Sequence, residues 1–495
     1  MELSYNHYTL WEPIPAGRHA LRPLFQKGNF LMRLQSLFSV RDMTEGPPWQ
    51  RIAEFAVPML LGNLAQQLYN TVDSIVVGKY VGDNALAAVG TSMPILNLLL
   101  AVFVGVATGA GIVISQHYGA GNRLALSRAI GNCITLAAIA SVATMILGTA
   151  ITRPLLRLLD TPASVFDWCA DYLIIFFLGA AGFTFYNILS GILRGMGDSF
   201  SALAFLLIAT VLNIVLDIWF VAGLGMGVPG VSLATVIAQG ISAIFCFIKL
   251  IRMRDVFDLN LGMLKPRKDS AWHIVKLGVP SGITQGIMAV AMLVVQSLTN
   301  SMGEVVMACN VIIMRVDGFA MMPNMTFGQA MSVYTGQNVG AGRLDRVEKG
   351  LKEGMAMAVG VSATITVILL LFGRLLFDLF TDTPELMDLA VRMMRILAVG
   401  YICIAVTQVL GGIMRGSGDT VTPMWITMVT TILLRIPVAY GLAYLTRCDA
   451  FPNGQPHALF ISLLISWSMG ALISYIVFRR GKWRRKALEV ISRNS

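Results

Sequence analysis

Polar and apolar positions in this chain do not alternate; the apolar ones run together. FLLIATVLNIVLDIWFVAGLGMGV (205–228) and AMAVGVSATITVILLLF (356–372) are examples. Such runs match the roughly 20 apolar residues that carry a helix across a bilayer, and they lack the two-residue alternation of a membrane β-barrel. The pattern predicts an all-α polytopic membrane protein with twelve spans, near 52–78, 86–114, 129–151, 166–192, 199–222, 230–250, 274–300, 305–335, 352–373, 386–413, 421–445 and 457–478. Pro58 and Pro280 fall early in spans 1 and 7, where kinks are expected.

The polar stretches between the runs repeat. LSGILRGMGDSFSA (189–202) returns as LGGIMRGSGDTVTP (410–423), offset by 221. At the same offset QHYGAGNRLA (116–125) faces QNVGAGRLDR (337–346), Arg153 faces Arg374, and Gly179 faces Gly400. DTP at 160 returns at 382, so the offset drifts by one residue. Spans 1–6 and 7–12 are therefore two copies of one unit. Each holds an even number of spans, which makes them parallel repeats about an axis along the membrane normal. The expected layout is a polar extension (1–42), an N-lobe (43–255), a linker (256–270), a C-lobe (271–480) and a basic tail (481–495). RGxGD and GAG read first as tight turns, with Asp198 and Asp419 capping the next helices; a gate is the alternative. Met43 opens MTEGPPWQRI like a natural start, so residues 1–42 are expected to be dispensable.

Charge fixes the orientation. Of 37 Lys and Arg, 28 fall on the side holding both termini and five in the opposite loops, which predicts cytoplasmic termini in a plasma membrane. The net charge of +10 then belongs to membrane topology and lipid headgroups, with no nucleic acid implied. Six cysteines show no metal or redox spacing and read as reduced. HExxH and GxSxG are absent, and the five histidines are scattered, so an enzyme is not expected.

Ionisable residues at membrane depth mark function. In the first half, Asp73 and Asp217 lie deep in apolar sequence, within two turns of the outer end; Asn213 precedes Asp217 by one turn, and Thr235 begins at similar depth. That oxygen-rich set suits Na⁺, and equally a shared proton. The second half carries Asp317 and Arg435, expected to bridge helices as a structural charge pair, with a role in substrate binding or gating as the alternative. Gln66, Tyr69, Asn70, Phe183, Tyr186, Gln285 and Met288 are candidate substrate-cavity residues.

PMLLGNLAQQLYNTVDSIVVGKYVGDNALAAVG (58–90), QHYGAG, LRGMGDS and NIVLD, with FGQAMSVYTGQNVGAGR (327–343), MRGSGDT and LLRIPVAY, resemble the multidrug and toxic compound extrusion (MATE) family over roughly residues 43–480. The resemblance implies two V-arranged six-helix lobes. It also implies export of cationic and amphipathic drugs against inward H⁺ or Na⁺, with H⁺ favoured here. Asp73, Asn213, Asp217 and Thr235 match the family's N-lobe cation site. The acidic residues that some sodium-coupled members carry in spans 7 and 10 are replaced here by the Gln285–Met288 stretch and Ala405, with Tyr401 retained. No cofactor beyond the coupling ion is expected, and the partners are small molecules and the bilayer around a monomer. A flippase or exporter of lipid-linked or metabolite cargo is the alternative; such flippases commonly need more spans and a strongly cationic cavity.

Overall fold

The structure, a computed structural model, describes residues 40–260, 262–378, 383–449 and 451–494, leaving aside the side chains of Asn70, Ser74, Asn494 and several positions between 83 and 102. The first repeat comprises α1 (Pro48–Tyr80), α2 (Asp83–Gly119), α3 (Arg123–Leu158), α4 (Ala163–Leu178 and Ala180–Gly195), α5 (Ser199–Gly223) and α6 (Val228–Arg252). The second comprises α7 (Lys268–Ser301), α8 (Glu304–Gly340), α9 (Leu344–Asp378), α10 (Pro384–Ala398 and Gly400–Gly416), α11 (Val421–Leu445) and α12 (His457–Arg479). A last helix, α13 (Lys482–Asn494), follows. Eight of the twelve are unbroken apolar helices of spanning length, and α4 and α10 are bent pairs. The 33-residue α1 and 37-residue α2 complete six helices per repeat. This is a multi-pass membrane protein.

Breaks and prolines part company. Pro58 and Pro280 lie inside continuous helices. The bends are 52° in α4, at Gly179, and 41° in α10, at Val399, next to Gly400, the repeat partner of Gly179. A Cβ on Gly179 would strike Val236 of α6, and one on Gly400 would come 2.5 Å from the Trp467 ring of α12. Each of these glycines packs tightly against the last helix of its repeat, whereas Pro58 and Pro280, about three turns into their helices, do not break them.

The repeated turns are built alike. Asp198 accepts from the Ser201 amide at 2.9 Å and hydroxyl at 2.6 Å. Asp419 does the same with Thr422, at 3.2 and 2.6 Å. Gly197 (φ +92°) and Gly418 (φ +90°) occupy the left-handed conformation that ends the preceding helix.

These turns also meet across the seam. Gln116 of the first repeat donates its amide to the Gly416 carbonyl of the second at 2.9 Å, and Gln337 of the second donates to the Gly195 carbonyl of the first at 3.2 Å. Gly119 and Gly340 sit so close to the opposite backbone that a Cβ on either would collide with it. Deeper in, α2 and α7 touch backbone to backbone, and a Cβ on Gly105 or Gly109 would lie 2.5 Å from α7. The duplicated GAG and RGxGD motifs thus form a crossed seal at the basic end.

Both tails join that end. Val40–Gly46 lies across the seam: the Met43 amide donates to Gln337 at 2.9 Å, Asn338 donates to the Met43 carbonyl at 3.2 Å, and Arg346 grips the carbonyls of Met43 and Gly46. Arg41 pairs with Glu54, so the docked segment starts before Met43; residues 1–39 lie outside the described residues. The basic tail is an amphipathic helix that buries Trp483, Ala487 and Val490 against the second repeat. The linker is docked along α3, where Asp258 pairs with Arg123 at 2.8 Å and the Arg267 amide donates to Asn132.

Candidate functional site

α1 and α5 both run away from the basic end, which brings residues 73 and 217 to one level. Asp73 is 3% exposed, and Asn213 and Asp217 are fully buried. With its amide oriented to satisfy both neighbours, the Asn213 nitrogen donates to Asp73 Oδ1 at 2.9 Å and to Asp217 Oδ2 at 3.1 Å. The two carboxyl groups also lie within hydrogen-bonding reach of each other. On the far side, Tyr69 donates to Thr235 Oγ1 at 3.0 Å. Asp217 Oδ1 is buried without a partner.

The helix changes pitch at this point. The α-helical part of α5 ends at Asp217, and Ile218–Gly223 is a π turn. A single π turn inside an α-helix frees backbone groups and often sits beside a functional residue. Two carboxylates sharing one amide repel when both are ionised, so a proton or a bound cation between them is needed to keep the cluster closed. The two carboxylates offer the oxygen atoms that a hard cation or a proton takes, and the Thr235 hydroxyl lies on the wall of the adjoining cavity with Asp73.

A cavity of about 480 Å³ reaches the cluster at Asp73. Its wall includes Gln66, Tyr69, Asp73, Phe183, Thr235 and Gln285. Tyr186 and Met288, expected there, are not in this wall. Tyr186 packs into the apolar core with Ile188, Leu189 and Leu193, and Met288 is exposed. The reason is angular: at 3.6 residues per turn an i+3 neighbour is displaced by about 60° around the helix and an i+4 neighbour by about 40°. Ala289, four residues after Gln285, takes the lining position. Asn70 lies outside the described side chains. Tyr172 and Gln239 line the cavity and were not singled out from the sequence. Gln239 was legible, since it stands four residues after Thr235 in an apolar helix.

The expected Asp317–Arg435 bridge is not formed: among the described residues no ion pair joins them within 4.0 Å. Asp317 instead accepts from the Tyr401 hydroxyl at 2.9 Å, and Arg435 keeps a buried Nε without a partner. A second π turn, Val429–Leu434, immediately precedes Arg435. Asn324 completes the neighbourhood, donating to the Tyr401 carbonyl at 3.3 Å and accepting from Ser362 at 2.6 Å. Among the described residues no group of three or more His, Cys, Asp or Glu could hold a metal ion.

Known proteins share this architecture. The chain is 28% identical over 427 residues to "Probable multidrug resistance protein YoeA" of Bacillus subtilis (strain 168), covering 84% of this chain and 92% of that one. It is 25% identical to "Probable multidrug resistance protein NorM" of Thermotoga maritima, covering 89% and 94%. Among solved structures, a multidrug resistance MATE family transporter of the MOP superfamily in an outward-facing conformation superposes with a TM-score of 0.82 at 24% identity, covering 90% of this chain and 98% of that one. A MOP superfamily transporter from Pyrococcus furiosus also gives 0.82, at 23% identity and 91% and 98% coverage. The MatE family profile matches twice, over residues 58–219 and 280–441, the same duplication that the turns display. The chain belongs to the MatE family, a family of transporters.

Proposed function

We propose that the protein is a cation-coupled antiporter that exports amphipathic and cationic drugs, with H⁺ the favoured coupling ion and Na⁺ the alternative. The observation that supports this reading most is the buried Asp73–Asn213–Asp217 cluster, whose Asp73 lies on the wall of the cavity. A cation reaching this cluster relieves the repulsion between the carboxylates and lets the helices close around it. Its departure reopens them, so cation occupancy and cavity shape are linked, as coupling requires. The drug-resistance names of the relatives favour drugs over lipid-linked cargo. The acidic and aromatic wall of Asp73, Tyr69, Tyr172 and Phe176 suits a cationic aromatic molecule.

With both termini in the cytoplasm, the crossed glutamine seal closes the cytoplasmic side and leaves the cavity to the outer half. Transport then requires the seal to part when the cation leaves. In proteoliposomes loaded with ethidium, wild-type efflux is expected under an imposed pH gradient, and Asp73→Asn and Asp217→Asn should each abolish it while retaining drug binding by fluorescence polarisation. Efflux driven by Na⁺ at clamped pH, with none from a pH gradient, would replace H⁺ by Na⁺. Wild-type rates in both variants would remove the cluster from the mechanism.

A further inference from the structure

A second pocket, of about 470 Å³, lies at the membrane end remote from the basic face, between α9 and the first half of α10. Arg374, Arg392 and Arg395 converge on it, with Asp388 the only carboxylate in its wall among the described residues. Arg374 pairs with Asp388 at 3.6 Å, and Arg392 donates to the Asp388 main-chain carbonyl at 3.3 Å. Among the described residues Arg392 and Arg395 have no carboxylate partner. Leu370 and Leu371 form the remaining side, and Leu371 is 71% exposed on the outer, apolar face of α9. Charge asymmetry between membrane faces gives no reason for three arginines at this end, because Lys and Arg otherwise gather at the opposite one.

The first repeat supplies an internal comparison. Arg153 and Asp167 stand at the equivalent positions and make the equivalent pair at 3.7 Å, so that pair belongs to the common architecture. The positions of Arg392 and Arg395, however, hold Asp171 and Ile174. Among the described residues, the second repeat therefore carries two arginines without a carboxylate partner where the first has Asp171 and Ile174, while Arg157 of the first repeat stands where the second has Asp378. The scaffold can be built without the extra arginines, and their use must be sought in what they face. We propose that Arg374, Arg392 and Arg395 hold the phosphate of an anionic phospholipid in the leaflet at the non-basic face, with its acyl chains along Leu370 and Leu371. Guanidinium groups bind phosphate through paired N–H donors, the volume suits a headgroup, and the exposed leucines continue the site into the hydrocarbon.

The test uses the full chain in detergent, with thermal unfolding followed during titration by phosphatidylglycerol, phosphatidylcholine, or inorganic phosphate. Phosphatidylglycerol should give a saturable rise in midpoint that phosphatidylcholine does not. R392Q/R395Q should weaken the apparent phosphatidylglycerol affinity by about 25-fold, the factor for two basic residues beside an anionic lipid. R153Q, at the equivalent place in the first repeat, should leave it unchanged. If the double variant does not fold, R392D, which installs the first repeat's residue, should give at least the fivefold loss expected for one arginine. Equal affinity in wild type and variants would overturn the site, as would an equal loss in R153Q. The full shift from inorganic phosphate alone would overturn the lipid in favour of a soluble anion.

Discussion

At the scale of single residues, what a buried polar group touches decides what it does. Asp317 is tied to Tyr401 rather than to Arg435. Removing a partner of a buried polar group costs about 1–3 kcal/mol. A double-mutant cycle of Asp317→Asn with Tyr401→Phe, read by thermal or denaturant unfolding, is therefore expected to show a coupling energy of about 1 kcal/mol or more. The cycle with Arg435→Gln should show a smaller one, and the reverse order would restore the ion-pair reading. In the first repeat, Asn213 is the residue both carboxylates share. Asn213→Ala should depress coupled efflux as strongly as either aspartate variant does, because it leaves two buried carboxylates without their common donor. Efflux in matched vesicles checks this. The types and depth of these residues were legible in the sequence. Which of them meet was not, since hydropathy gives depth along a helix but leaves its rotation and its neighbours undetermined.

At the scale of elements, the glycines that matter are those where another helix approaches. Gly179 lies at the bend of α4 and Gly400 next to that of α10, and both lie hard against a side chain of the last helix in their repeat. Gly179→Ala and Gly400→Ala should each destabilise the protein by about 1–3 kcal/mol through overpacking. Alanine at Gly286, where nothing lies within 4 Å of the new Cβ, should be neutral or stabilising in the same unfolding assay. The repeat marked both bend glycines in advance, because they align at the common offset. Their close neighbours Val236 and Trp467 are brought to them only by tertiary packing. Pro58 and Pro280, by contrast, lie inside helices that continue past them.

At the scale of the whole molecule, two copies of one unit are locked by two copies of one contact. Gln116 and Gln337 each donate to a carbonyl of the opposite repeat, and Met43 adds a further bond to Gln337. At about 1 kcal/mol per hydrogen bond, losing both amides should shift the balance between sealed and parted states by an order of magnitude or more. Spin labels at Leu124 and Lys349, both exposed at the basic end, report this as a distance. Gln116→Ala/Gln337→Ala should populate longer distances than the parent, and an unchanged distribution would make the crossed bonds incidental to gating. By itself the sequence determined the number of spans, the duplication, the Asp198 and Asp419 caps and the depth of the carboxylates. Each of these follows from local periodicity, local hydrogen bonding or the solvation cost of a buried charge. Tertiary structure alone decided that the repeated turns form a seal between the repeats, that Tyr401 and not Arg435 holds Asp317, and that Arg374, Arg392 and Arg395 converge on one pocket. Those depend on which surfaces of distant helices face one another, and distant helices are brought face to face by packing that no local pattern records.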